Sequence, residues 1–352
     1  MTGTQLTADE ARAEASRAGI HVLPLPTPFA VGRVNCYLID DEPLTLVDCG
    51  PNSGKALDEL ERGLEALGKR VEELELIVLT HQHIDHIGLV DVLARRSGAQ
   101  VAALDRLAPY LGRYSAGAEQ DDDFAVALMK RHGIPSEVVQ ALRAVSSAFR
   151  GWGSGAAITR PLADGARLEL RDRTLEVFHR PGHSPSDLVF WDEQRAILLG
   201  GDHLIKHISS NPLAARPLPL AGESEVSSEA IAAALNRPES LRTYMASLEL
   251  TKAMPARFVL AGHGEPVVSH AALIDERARM TARRADKIHQ MLVEKPQTAH
   301  ELAQRMWGNV AVTQAFLTLS EVLGHLDLLQ LDGRVHELVD EGVARFEAIA
   351  QR

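Results

Sequence analysis

Cysteine is nearly absent: the 352 residues contain two, Cys36 and Cys49, too few for a disulfide framework. Positive charge is also in short supply. With 37 Lys and Arg against 48 Asp and Glu, the net charge is −11 and the pI near 5.8. That balance argues against broad, nonspecific attraction to nucleic-acid phosphates or an anionic membrane, while leaving a local basic groove open. No stretch approaches the roughly 18 consecutive apolar residues of a membrane span. Residues 1–19 are polar and alanine-rich, without an apolar core of signal-peptide length. The expectation is a cytoplasmic protein. A Gly-x-Ser-x-Gly elbow is missing too, so no serine nucleophile of that kind competes for the chemistry. At 45% hydrophobic residues the chain is long enough for one large domain and a smaller one.

What is present is concentrated at Thr80-His81-Gln82-His83-Ile84-Asp85-His86, three imidazoles and a carboxylate within six positions. An apolar run at 74–79 reads as a buried strand before it, and 87–96 has helical spacing after it. On an extended stretch, residues two apart share a face. His81 and His83 can therefore converge on one ion while Asp85 and His86 turn toward a neighbouring position. Imidazole with carboxylate suits Zn, Fe or Mn, and two such ions about 3.5–4 Å apart can hold a hydroxide between them. Isolated histidines say little in a chain with fifteen of them, but this spacing marks a two-metal hydrolase.

Four residues cannot close two metal shells, and further donors follow at other strand ends. The run 174–178 leads to Arg180-Pro181-Gly182-His183-Ser184, 196–199 leads to Gly200-Gly201-Asp202-His203, and 258–260 leads to Ala261-Gly262-His263-Gly264. A glycine before each donor lets the backbone turn sharply and come close to the ions.

These motifs, in this order over roughly residues 20–265, resemble the metallo-beta-lactamase-fold hydrolase superfamily. The resemblance implies an α/β fold, a four-layer αβ/βα sandwich, and two divalent ions, zinc first with iron or manganese as alternatives. It implies that His81, His83 and His183 bind the first metal, that Asp85, His86 and His263 bind the second, and that Asp202 bridges them. Asp85 and Asp202 carry the catalytic roles in this scheme, Asp85 as one candidate proton shuttle. Asp48 resembles the family's earlier acidic motif and implies a residue that orients a metal-bound imidazole from behind; the plainer reading is a turn residue before Gly50. His179 and His203 flank ligands and read as packing residues, and Cys49 as a buried structural thiol. A bridging Asp202 is similar to the pattern of glyoxalase II, lactonases, nucleases and esterases, which moves antibiotic hydrolysis down the order. Asp187 stands where many glyoxalase II relatives have histidine, which weakens glutathione thioesters as the specific substrate.

Residues 105–160 exceed a minimal version of this fold and read as a helical insert, with helices at 124–132 and 135–149. Tyr110, Tyr114, Phe124, Met129, Phe149 and Trp152 could line an acyl pocket there, or only dock the insert. After Asp202, Lys206, His207 and Asn211 are candidate substrate contacts. The expected division is residues 1–270 for the catalytic domain and 271–352 for a second one, with a long helix, a capping box at Thr298-Ala299-His300-Glu301, a helix at 312–329 and a hairpin turning at Asp332-Gly333. That tail resembles the C-terminal winged-helix domain of an endoribonuclease-like branch of the superfamily. Residues 277–352 carry ten Lys or Arg and ten Asp or Glu, a poor complement to phosphates. Packing, homodimerisation or a substrate-pocket role suits the module better. The leading expectation is hydrolysis of a thioester, ester or lactone carbonyl of a small acyl substrate by a metal-bridging hydroxide. A metal-dependent endoribonuclease or phosphodiesterase stands second, and a non-catalytic binding protein last.

Overall fold

A computed structural model describes residues 6–218 and 237–350. Two sheets face each other. The first runs in chain order, β1 (Ile20–Leu25), β2 (Val34–Ile39), β3 (Thr45–Val47), β4 (Leu76–Val78), β5 (Gln100–Leu104) and β6 (Arg160–Leu162), antiparallel through β3 and parallel from there on. The second has the order β11-β10-β9-β8-β7, formed by β7 (Arg167–Glu169), β8 (Thr174–His179), β9 (Leu188–Asp192), β10 (Ile197–Gly201) and β11 (Phe258–Ala261). Only β10 and β11 run parallel in it.

Alternation along the strands builds the layers. Leu188, Phe190, Ile197, Leu199, Phe258 and Leu260 point into a core shared with β2 to β5. Their neighbours Val189, Trp191, Leu198 and Val259 face the other way, against α8 (Ser240–Lys252) and α9 (His270–Glu294). Covered on both faces, β2, β3 and β4 are buried at every position, as apolar runs of this kind require. On the outside of the first sheet lie α1 (Ala8–Arg17), α2 (Gly54–Ala66) and α4 (Val90–Ser97), with Ala11, Leu60, Leu64 and Leu93 completing the shared core. The expected αβ/βα layering is therefore present. Each chemistry-bearing loop leaves the C-terminal end of a strand: Asp48 follows β3, the histidine run β4, His183 β8, Asp202 β10 and His263 β11.

The helix expected from residue 87 begins earlier, as the single turn α3 (Ile84–Ile87), and α4 continues from Val90. His81 and His83 thus lie on extended chain while Asp85 and His86 are helical. The insert contains α5 (Ala108–Gly112), α6 (Tyr114–Arg131) and α7 (Ser136–Phe149). Beyond α9 come α10 (Ala299–Trp307), opened by the anticipated capping box on Thr298 and Glu301, then α11 (Val310–Thr313) and α12 (Ala315–Leu331). The hairpin lies further along than its sequence signal, in β12 (Val335–Asp340) and β13 (Val343–Ala348). Asp332-Gly333 instead ends α12: Gly333 takes φ 66°, its N–H donates to Gln330 O and the Arg334 N–H to Leu329 O, a helix-closing pair of bonds. Asp-Gly serves a helix end as well as a hairpin, because both need the left-handed conformation.

Phe124 and Met129 do not line a pocket near the metal loops. They are buried with Leu292, Leu302, Leu323 and Phe346, joining the insert to the C-terminal helices. Among the described residues no helix is long and apolar enough to cross a membrane.

Candidate metal centre

The four loops bring all seven anticipated side chains together. His81, His83 and His183 each offer one ligand atom, all within 4.8 Å of one another; so do His81, His86 and Asp202, and Asp85, His86 and His263. His83 Nδ1 lies 3.0 Å from His81 Nε2 and 2.9 Å from His183 Nε2. Asp202 reaches both halves, with Oδ2 3.6 Å from His183 Nε2 and 3.5 Å from His263 Nε2, and Oδ1 3.4 Å from His86 Nε2. Asp85 Oδ2 is 3.3 Å from His263 Nε2. The carboxylate–imidazole separations exceed the roughly 2.7–2.9 Å of direct charged hydrogen bonds.

The outer ring nitrogens explain which atoms point inward. His86 Nδ1 donates to Asp48 Oδ2 at 2.8 Å, His263 Nδ1 to Arg33 O at 2.8 Å, and His183 Nδ1 to Ser210 O at 3.3 Å. Thr80 Oγ1 donates to Asp48 Oδ2 and thereby accepts from His81 Nδ1 at 2.9 Å. In the neutral rings, with the outer nitrogen carrying the proton, Nε2 of His81, His86, His183 and His263 turns its lone pair toward the centre, whereas His83 faces it with Nδ1. His86 Nε2, His263 Nε2 and Asp202 Oδ1 are buried without a hydrogen-bond partner, an arrangement that a cation satisfies. Gly262 is part of the cradle, since a Cβ there would meet Asp202 Oδ1 at 2.1 Å. The donor set and these orphaned atoms fit divalent metal ions.

Electrostatics divides the cluster. Burial, reinforced by neighbouring imidazoles, lowers the pKa of His81 well below its usual value and that of His83 to about 3, keeping both rings neutral. Burial also opposes charge on His86 and His263, but the carboxylates outweigh it: Asp202, Asp48 and Asp85 raise His86 well up, and Asp202 with Asp85 takes His263 to about 9. Burial opposes the charge on Asp202 as well, yet His86 and His263 hold it well below the carboxylate range. Burial pushes both thiols up and leaves Cys36 and Cys49 free and enclosed.

Lys206 and His207 are exposed, and Lys206 Nζ pairs with Glu265 at 2.8 Å. The His207 ring lies against Gly264, beside His263. Asn211 Nδ2 turns instead to Leu317 O at 3.4 Å. His203 Nε2 bonds Thr251 Oγ1 and His179 Nε2 bonds Pro185 O, outside the ligand cluster. Sequence reasoning gave no role to Thr80 or to Arg277. The second residue, on α9, donates from Nη2 to the carbonyls of Ile205, Lys206 and Ile208 at 3.3, 3.1 and 2.8 Å. No local motif announces a bond across seventy residues. Asp187 accepts from the Ser184 N–H and hydroxyl and shapes the turn that carries His183, while its buried carboxyl is raised to about 6.

Comparison with known proteins agrees with this geometry. Residues 30–263 match the metallo-beta-lactamase superfamily model. A probable metallo-hydrolase of Bacillus subtilis, YqjP, is 33% identical over 308 residues, 88% of this chain and 91% of the relative. The bovine acyl-coenzyme A thioesterase MBLAC2 is 33% identical over 130 residues, 36% of this chain and 40% of that protein. Among solved structures, the metallo-beta-lactamase family protein TTHA1429 of Thermus thermophilus matches with a TM-score of 0.74 and 26% identity, over 94% of this chain and 99% of that one. The chain belongs to the metallo-beta-lactamase superfamily and is a metallo-hydrolase.

Proposed function

We propose that the protein hydrolyses acyl thioesters, with esters and lactones as chemically related substrates, at a binuclear centre. The observation that carries the reading is Asp202, whose two oxygens lie between the His183 and His86/His263 sides of the cluster. His81, His83 and His183 would hold one ion, Asp85, His86 and His263 the other, and Asp202 both, with zinc best suited to this imidazole-rich set. When bound, such ions polarise a carbonyl and bring the ionisation of a water toward neutral pH. The Asp85 carboxylate stays ionised, because His86 and His263 outweigh its burial, and can accept the proton released by the attacking water. Asp48 and Thr80 fix the rings of His86 and His81 and spare that cost at the moment of reaction. His207, exposed beside His263, is placed to meet a polar leaving group. The bovine relative named as an acyl-coenzyme A thioesterase supports a thioester over other acyl compounds. Two enclosed free thiols suit a reducing cytoplasm.

The test incubates metal-reloaded protein with acyl-CoA, lactone and single-stranded RNA panels, with Asp202→Ala as the blank. Thioester hydrolysis that disappears in the blank is the expected result. RNA cleavage that disappears in the blank, with no acyl hydrolysis, overturns the proposal.

A further inference from the structure

The loop that carries His263 has little stiffness of its own. Glycine stands on both sides of the ligand, Gly262 where a Cβ would strike Asp202 and Gly264 at φ 75°, and glycine gives up more backbone freedom on folding than any other residue. The strand before the loop, β11, stands at the edge of its sheet among the described residues, so the groups on its outer side need partners from elsewhere. Val259 satisfies that edge by pairing with Val267. Ala261, two residues on, presents its carbonyl to side chains of β2 instead.

Asn35 supplies most of what is missing. Its Nδ2 donates to Ala261 O and to Gly264 O, both at 3.0 Å, and its backbone N–H donates to Gly262 O at 2.6 Å. One residue, 6% exposed, thus brackets His263 from both sides. Since both partners of its side chain are carbonyls, only the NH2 end of the amide can face them. Tyr37, two residues along β2, adds its hydroxyl to Ala261 O at 2.7 Å. The Gly262 N–H in turn donates to Gly201 O at 2.7 Å, which ties the turn before Asp202 to the same support. With Arg33 O holding the outer nitrogen of the ring, residues 33–37 fix both the backbone and the imidazole of this ligand.

We infer that Asn35, assisted by Tyr37, is the positioning residue for the ion held by Asp85, His86 and His263. It acts through the backbone of residues 261–264, keeping His263 Nε2 aimed at Asp85 and Asp202. The inference rests on the binuclear reading above and adds residues that the ligand set does not contain. A Gly-His-Gly turn without this support would have to give up its freedom when the ion binds, and affinity would fall accordingly. Held in advance, it meets the ion at no such cost.

The test replaces Asn35 by Asp, which keeps the shape but sets a carboxylate oxygen against two carbonyls. Chelator-buffered zinc is titrated into metal-free, histidine-labelled protein, and the ring resonances of His81 and His263 are followed separately by NMR. In Asn35→Asp the His81 response should keep its wild-type midpoint, while that of His263 should need about 10–100-fold more free zinc, the range for partners standing behind a metal ligand. Tyr37→Phe, which loses one hydroxyl and leaves Asn35 in place, should delay His263 in the same sense by less. A wild-type His263 midpoint in Asn35→Asp overturns the inference. So does an equal shift of both rings, which marks a general loosening of the fold. If Asn35→Asp does not fold, Tyr37→Phe decides: a delay confined to His263 upholds the inference, and wild-type midpoints overturn it. Wild-type rings that do not respond to zinc at all overturn the binuclear reading along with it, a result distinct from the others.

Discussion

Asp48→Asn removes one acceptor from a site where water cannot replace it. Asp48 is 2% exposed, and its carboxylate accepts three hydrogen bonds at 2.8 Å, from the Thr80 N–H, the Thr80 hydroxyl and His86 Nδ1. Asparagine keeps one oxygen but presents an NH2 group in place of the other, so the hydroxyl or the imidazole loses its partner. The backbone accepts the change, since Asp48 has φ 60°, a conformation asparagine also tolerates. A lost bond to a charged acceptor costs roughly 1.5–3 kcal/mol, and partners of this kind behind a metal-bound histidine are worth about 10–100-fold in metal affinity. The ion held by His86 should therefore bind about 10–100-fold more weakly, read by competition with a chromophoric chelator. Thr80→Val should weaken the ion held by His81, and the two substitutions together should cost less than their sum, because both break one network. Two ions bound by Asp48→Asn with wild-type affinity would refute the reasoning.

Proton release gives a second check. The metal-free His263 pKa is about 9, so the ring is protonated at pH 7 and must lose that proton to become a ligand. Calorimetry in buffers of different ionisation enthalpy should show release at pH 7, and affinity should rise with pH up to about 9. The same shift has the opposite sign for the metal-free fold: the stabilisation is full below the ordinary histidine value and is lost as pH rises through about 9, which melting curves will show. Asp202→Ala should lower thioester turnover by at least about 100-fold and reduce bound metal after reloading, with far-UV circular dichroism unchanged. Phe124→Ala should cost about 3–5 kcal/mol in denaturant unfolding, because its ring is fully buried, without changing acyl-chain preference.

Much of the site was legible because its chemistry is local. Seven donors sit immediately after apolar runs, and strand ends are where such a sandwich gathers its loops. Within the histidine run, period-two spacing put His81 and His83 on one face, but the helical turn that carries Asp85 and His86 was not anticipated, since apolar periodicity begins only at Ile87. What escaped depends on distance in sequence. Nothing near Thr80 says that its hydroxyl bridges Asp48 and His81, and nothing near Arg277 points to carbonyls about seventy residues earlier. For Phe124 and Met129 the sequence left pocket and docking roles open, because an apolar residue in an insert looks the same whether it faces a cleft or a neighbouring helix, and the structure shows docking. The displaced hairpin has a similar origin, for Gly342 and Gly333 both supply left-handed turns and only pairing partners tell them apart.

The Arg277 guanidinium gives the far end of the chain a grip on the reacting centre. It grasps three carbonyls of the stretch that leads to Ser210, and Ser210 steadies the ring of His183. Any event that rotates or slides α9, whether association with another molecule or a change in the elements packed beyond it, will be felt as a tug on that imidazole. Removing Arg277 would thus free a loop that the cations need held still.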